Sequence, residues 1–408
     1  MTSDGNARKS FIQVDADRMK RDLIVIGAGP GGSMAAKTAA EAGLNVALLE
    51  KRQEIGTPIR CAEGVSLRSE LKELIDVEPS WISSEIKGMR MHSPNGNNFF
   101  TTMVNGEGGG YILDRKIFDR GLAIRASRSG AEVLVKTCAT GLARKDGRIF
   151  VSAICQGKPL QIEAPLVIGA DGVESKVARW SGMADRIKPE DIMVCAQFLV
   201  LDEGIDQDYC EFFFGNAVAP GGYIWIFPKG SGMANVGIGI QGSQSGPRMP
   251  VQLLERFMQK RMPKGRVLQM MAGGIPTSGP IKSIASDGVM LVGDAAHQSD
   301  PLTGGGIINA MRAGVMAGKT AAKAISSENI SQVVLREYED LWMSSFGKHL
   351  VKSYNAKRFF LSLDDNDFNH LAKSLHGRNI SNMRTKDLLK FLIKQNPKML
   401  WSMRNLMF

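Results

Sequence analysis

The chain has 408 residues, 43% hydrophobic and 23% charged, which suits one large two-part domain or two domains around a sizeable core. Its formal net charge of +10 fits an acidic partner (nucleic acid, membrane surface or anionic substrate) without choosing among them. Mean hydropathy is −0.10, and no apolar run approaches the roughly 20 residues of a membrane-spanning helix. The five cysteines, Cys61, Cys138, Cys155, Cys195 and Cys210, are scattered and form no C-x-x-C, which suggests a reducing compartment with no disulfide framework, metal site or iron–sulfur cluster.

Residues 1–20 are polar and mixed in charge, so they read as a disordered lead-in and not as a secretory signal, with Met19 an alternative start. Residues 22–50 then form the densest motif. An apolar run ends at Ile26 and is followed by Gly27, Gly29 and Gly32 in G-x-G-x-x-G spacing. Small residues from Ser33 onward predict a helix stopped by Gly43, and a second apolar strand ends at Glu50. This is a βαβ dinucleotide-binding pattern. Gly27 permits the tight turn, Gly29 the approach of a pyrophosphate, and Gly32 close helix–sheet packing. The helix N-terminus favours phosphate, and Glu50 suits the ribose hydroxyls.

A Gly- and Pro-rich loop covers Lys51 to Val65. Residues 85–105 read as strands with a turn at Ser93–Gly96, and a helix follows Asp114 and ends near Gly130. Ala131–Val135 reads as a strand, 148–154 with 159–164 as a hairpin, and Pro165–Asp171 as a buried strand before a helix from about Glu174. From Ile192 to Ile240 short alternating runs predict an antiparallel sheet. Helices are expected over 250–262, from Gly304 to Ile325, and through the charged tail from Ser331, with a buried strand at Gly288–Asp294. A second G-x-G-x-x-G at Gly237, Gly239 and Gly242 lacks an immediate helix and is read as a decoy.

Three strand ends share one logic: Gly27–Gly32, Gly169-Ala-Asp171-Gly172, and Gly293-Asp294-Ala-Ala-His297. The trio resembles the para-hydroxybenzoate hydroxylase-like FAD superfamily. Within it, Arg60-Cys61-Ala62-Glu63-Gly64, Leu113–Asp119, Tyr223-Ile-Trp225-Ile-Phe227-Pro228 and Asp300–Ile307 resemble the geranylgeranyl reductases, and closely the archaeal digeranylgeranylglycerophospholipid reductases. The resemblance runs from about Arg21 to Gly318. It implies an α/β fold: a Rossmann-like FAD-binding domain of glutathione reductase type, an inserted antiparallel-sheet substrate domain and a helical C-terminal region. The implied division is 1–20 as lead-in; 21–84 with 106–190 and 281–330 as a discontinuous FAD-binding domain; 85–105 with 191–280 as substrate domain; and 331–408 as the helical region.

By the same resemblance, FAD contacts fall on Gly31, Glu50, Cys61, Ala62, Gly64, Arg115, Ala139, Asp294, Gly306 and Ile307. The implied reaction is saturation of isolated C=C bonds in geranylgeranyl chains of archaeal phospholipid precursors, by hydride from reduced FAD N5 plus a proton. Reduced ferredoxin or NAD(P)H is the implied donor. The alternatives are an aromatic hydroxylase or halogenase on the same scaffold, and a non-catalytic electron-carrying flavoprotein.

Several residues keep more than one reading. Arg115 is a cation for phosphate or flavin, or an ordinary salt bridge to Asp114 or Asp119. Cys61 positions flavin or substrate, serves as an acid, or is a small buried hydrophobe. Tyr223, Trp225 and Phe227 share one strand face and either line an isoprenoid tunnel or pack sheet to helix. For His297 a structural hydrogen bond is expected, with no metal role. No nucleic-acid-binding module accompanies the charge. Residues 377–408 hold seven basic residues against one acid, a formal +6, among bulky apolar side chains. They suit a helix lying on the inner face of the cell membrane, in a cytoplasmic protein held there peripherally, or a helix packed on the flavin domain.

Overall fold

The computed structural model describes residues 19–97, 99–103, 109–184, 186–245 and 250–377. Strands β1 (Met19–Lys20) and β2 (Leu23–Ile26), helix α1 (Pro30–Glu41) and strand β3 (Val46–Leu49) come first. Then follow β4 (Gly64–Val65), α2 (Arg68–Leu74), β5 (Ile82–Ile86), β6 (Gly88–His92), β7 (Phe99–Met103) and β8 (Gly110–Leu113). Helix α3 (Arg115–Arg128) leads to β9 (Glu132–Leu134), β10 (Thr137–Lys145), β11 (Arg148–Cys155), β12 (Lys158–Ala164) and β13 (Leu166–Gly169). After α4 (Lys176–Trp180) come β14 (Ile192–Leu201), β15 (Tyr209–Phe214), β16 (Tyr223–Gly230), β17 (Met233–Gln241), α5 (Pro250–Arg261) and β18 (Arg266–Pro276). The last described elements are β19 (Ala285–Ser286), β20 (Val289–Leu291), α6 (Ile307–Ser326), α7 (Gln332–Trp342), α8 (Lys348–Phe360) and α9 (Asp365–Leu375).

The wholly apolar runs Leu23–Ile26 and Val46–Leu49 become central parallel strands, buried throughout because helices cover them. They belong to a sheet of order β19-β20-β13-β2-β3-β9, parallel except for the β19–β20 pair. This order sets the ends of β2, β13 and β20 side by side, which brings Gly27, Asp171 and Asp294 to one edge of the sheet. Helices α1 and α6 pack closely there: a Cβ on Gly314 of α6 would stand 2.2 Å from the Gly31 carbonyl oxygen.

The alternating runs after Ile192 form a sheet of order β18-β14-β17-β16-β15-β6-β7. Ala196, Phe198 and Val200 face α5 and pack with its Leu254 and Met258. The opposite face looks toward the parallel sheet. A four-stranded sheet, β1-β12-β11-β10, and a three-stranded one, β4-β8-β5, complete the order among the described residues.

Four points differ from what the sequence predicts. Met19 and Lys20 are not part of a lead-in, since β1 pairs in parallel with β12. Strands β10 and β18 were unexpected. The predicted helix from Gly304 starts at Ile307, because the Asp300 carboxylate takes the Leu302 and Thr303 N–H groups and bends 300–306 into a turn. The helix expected from Glu174 starts at Lys176, because Ser175 caps it and Asp171 accepts from the Lys176 and Val177 N–H groups. The expected segment 377–408 lies outside the described residues beyond Gly377.

Candidate active site

A cavity of about 810 Å³ lies between the parallel sheet and the seven-stranded sheet. One end is walled by Gly29, Gly31 and Gly32 at the start of α1. A Cβ on Gly32 would stand 1.8 Å from the Gly27 carbonyl oxygen, so only glycine lets the turn close. Gly29 caps α1 without any side-chain bond, with Pro30 at the first helical position. Gly306 caps α6 in the same uncapped way and lines the cavity with Ile307. Two helix N-termini with free backbone donors thus open on one space, which suits a ligand that is anionic at two points.

Glu50 lies behind the glycine turn and off the cavity. Its carboxylate accepts from the Ala28 N–H at 3.1 Å and the Arg52 N–H at 2.9 Å, leaving lone pairs for further donors. Gly27 likewise shapes the turn from behind. Ala139 is also off the cavity, buried in β10, whose first residue donates to the Glu50 carbonyl at 2.8 Å. Asp171 has a structural task at the start of α4, beside the Ser175 cap, and its Oδ1 accepts from the Ser175 hydroxyl at 2.6 Å.

Cys61, Ala62, Gly64, Arg115 and Asp294 all line the cavity. The Cys61 Sγ accepts from the Glu63 N–H at 3.2 Å, and burial pushes its thiol pKa up against the opposing pull of Arg115. The Arg115 guanidinium grips Asp119 at 2.7 and 2.8 Å, the salt-bridge reading, yet it still borders the cavity. Asp114 instead caps α3. Burial pushes Asp294 up to about 6, with Arg115 pulling the other way. His297 meets the Ser278 hydroxyl at 2.7 Å and is held below the usual imidazole range by burial.

Tyr223, Trp225 and Phe227 form a row on β16 facing the cavity, joined by Phe212 at 5.6 Å from Tyr223 and 5.4 Å from Phe227. Tyr223 donates its hydroxyl hydrogen to the Thr303 carbonyl, and burial raises its pKa. The Trp225 indole donates to Gln197 at 2.9 Å, and Gln197 donates to the Cys61 carbonyl at 3.1 Å. The row therefore combines a wall with a brace. The second G-x-G run serves it: a Cβ on Gly237 would stand 2.3 Å from the Trp225 ring, so Gly237 makes room for the indole and has no phosphate role.

Glu63, inside the Arg60–Gly64 motif, has no role that the sequence alone assigns. It is 1% exposed and joins three elements. One carboxylate oxygen accepts from the Arg115 N–H at 2.8 Å; the other pairs with Lys229 and accepts from Asn235 at 2.7 Å. The only sequence signal is a carboxylate beside a glycine in a loop, and its partners Lys229 and Asn235 lie more than a hundred residues away. At the far end, Phe368 of α9 stacks on Phe214 with ring centroids 6.1 Å apart, and Leu371 also lines the cavity.

A family model described as "FAD binding domain" matches residues 20–218, and one described as "Geranylgeranyl reductase catalytic domain" matches 191–275. The digeranylgeranylglycerophospholipid reductase of Methanothrix thermoacetophila is 54% identical, over 95% of this chain and all of the relative. The chain belongs to the digeranylgeranylglycerophospholipid reductase family. Its cofactor is FAD, which the glycine turn and the two open helix N-termini fit. A geranylgeranyl bacteriochlorophyll reductase-like structure from Thermoplasma acidophilum is 34% identical with a TM-score of 0.90, covering 96% of this chain and 100% of that one. A flavin-dependent brominase is 17% identical with a TM-score of 0.71, covering 93% and 94%; this likeness shows the shared α/β flavoprotein fold alone.

Proposed function

We propose that the protein saturates C=C bonds in geranylgeranyl chains of archaeal membrane-lipid precursors, as an FAD-dependent reductase of digeranylgeranylglyceryl phospholipid. One observation carries this reading: the cavity runs from the two open helix N-termini to an apolar wall of Met89, Phe212, Tyr223, Trp225 and Phe227. Reduced FAD, when bound, supplies the hydride for one alkene carbon.

The chain's own residues do the rest. Gly27, Gly29, Gly31 and Gly32 shape the turn that receives the pyrophosphate, and Glu50 receives the ribose hydroxyls. Asp294, Ala62, Gly64, Arg115, Gly306 and Ile307 border the flavin half, where the Gly306 and Ile307 N–H groups favour negative charge. Thr137, two residues before Ala139 on β10, steadies Glu50 through its carbonyl. An isolated alkene has no carbonyl to polarise, so the aromatic row contributes position and dryness. Cys61 is a positioning residue, fixed through Gln197 by Trp225. Its thiol keeps its proton at neutral pH because burial dominates.

Sheet membership supports treating 88–103 and 192–276 as the substrate part and the parallel sheet as the flavin part. No helix among the described residues is long and apolar enough to cross a membrane. Contact with the bilayer is assigned to the basic, apolar segment 377–408, and electrons to an external donor, ferredoxin or NAD(P)H.

The test is anaerobic. Photoreduced enzyme should regain the oxidised flavin spectrum on addition of geranylgeranyl phospholipid. A flavin that stays reduced would identify an electron carrier.

A further inference from the structure

Arg60, Arg115 and Lys357 bring cationic side chains to the cavity wall. Arg115 is held by Asp119. Lys357 is 5% exposed and donates to the Thr277 carbonyl at 2.8 Å and the Thr277 hydroxyl at 3.0 Å. Arg60 differs from both. It has no hydrogen-bond or ion-pair partner among the described residues, and it is exposed while still lining the cavity. A residue that is both exposed and cavity-lining stands at the opening.

Other rim residues agree. Ala272 on β18 and Thr303 in the 300–306 turn are also exposed and cavity-lining. The stem of Arg60 lies along β18: a Cβ on Gly273 would stand 3.5 Å from the Arg60 Cβ, an ordinary contact that leaves the guanidinium beyond it. Arg60 directly precedes Cys61, whose carbonyl is braced by Gln197 and Trp225. The cation is therefore tied to the start of the apolar wall. β18 itself is an edge strand, with Val267, Leu268 and Met270 half or more exposed just outside the rim.

We propose that Arg60 is the phosphate anchor of the lipid substrate, holding the headgroup at the cavity mouth while the isoprenoid chain runs inward past Cys61 to Tyr223 and Trp225. A guanidinium free of carboxylates presents a planar fork of donors that matches two phosphate oxygens. A headgroup held at the rim leaves its charge hydrated and sends only hydrocarbon into the apolar space. This inference rests on the lipid-reductase reading, so its test is a binding measurement that does not need turnover.

Holoenzyme with oxidised FAD is titrated with geranylgeranyl phosphate and, separately, with geranylgeraniol, following the perturbation of the flavin spectrum. Arg60→Ala is expected to weaken the phosphate ester about tenfold or more, the loss of a charge-assisted bidentate contact, and to leave the alcohol unchanged. Arg60→Lys should recover part of the loss, since it keeps the charge without the fork. FAD content should equal that of the parent in both variants. Equal weakening of ester and alcohol, or an unaltered ester affinity, overturns the proposal. So does loss of FAD, which would give the cation to the cofactor's own phosphates. Inorganic phosphate should compete only at far higher concentration than the ester; competition at equal concentration would assign Arg60 to free phosphate. If the parent binds both ligands and its photoreduced form, tested separately, reduces neither, the reductase reading fails, while the ester-against-alcohol difference still decides the role of Arg60.

Discussion

Glu63 takes a hydrogen bond from the start of α3 and meets Lys229 and Asn235 on the substrate sheet, all in a 1%-exposed position. Glu63→Gln leaves the Lys229 ammonium without its counter-charge. A broken buried pair costs about 3–5 kcal/mol, so the urea midpoint should fall clearly. Adding Lys229→Met should restore much of it; a midpoint unchanged by Glu63→Gln would refute the hub. Asp294 carries a different signature. Burial raises its carboxyl to about 6, so the folded protein keeps a proton that the unfolded chain releases near pH 4. Its contribution is fully present below about pH 4 and is lost as pH rises through 6. A shift of about two units corresponds to roughly 3 kcal/mol. Unfolding of flavin-free protein should show Asp294→Asn gaining on the parent by about that amount between pH 4 and 7. A pH-independent gap would mean that Asp294 is not held neutral by burial.

At the scale of elements, the contact between α1 and α6 sets the distance between the two helix N-termini. Gly314→Leu forces a side chain against the Gly31 carbonyl. We expect a loss of about 1–3 kcal/mol by overpacking, and flavin content lowered along with it. Full flavin occupancy in that variant would separate the helix contact from cofactor binding. The same scale explains what the sequence made legible. β2, β3 and β13 were readable because a strand buried on both faces must be apolar throughout. β10 and β18 were not. Both are edge strands, each hydrogen-bonded on one side among the described residues, and their outer halves are exposed, so no alternation marks them. The glycine turn and the Asp171 and Asp294 strand ends were visible through local spacing. The Glu63–Lys229–Asn235 cluster and the Gln197 brace were not, because they arise only when the two sheets meet.

For the whole molecule, the basic charge has a proposed destination. Segment 377–408 combines a formal +6 with bulky apolar residues, and each basic residue near an anionic surface contributes about 1 kcal/mol. Removing residues 398–408 should reduce sedimentation with anionic vesicles, as should high salt. A folded, flavin-loaded truncation that sediments as well as the parent would place the membrane contact elsewhere. The central claim is that one cavity brings reduced flavin to an isolated alkene. The most direct measurement is mass spectrometry of geranylgeranyl phospholipid after incubation with chemically reduced enzyme. The account predicts lipid heavier by two hydrogens for each double bond saturated, one bond for each reduced flavin, with further bonds reduced in sequence while excess reductant re-reduces the flavin. Unaltered lipid beside fully reduced, flavin-loaded protein would contradict it.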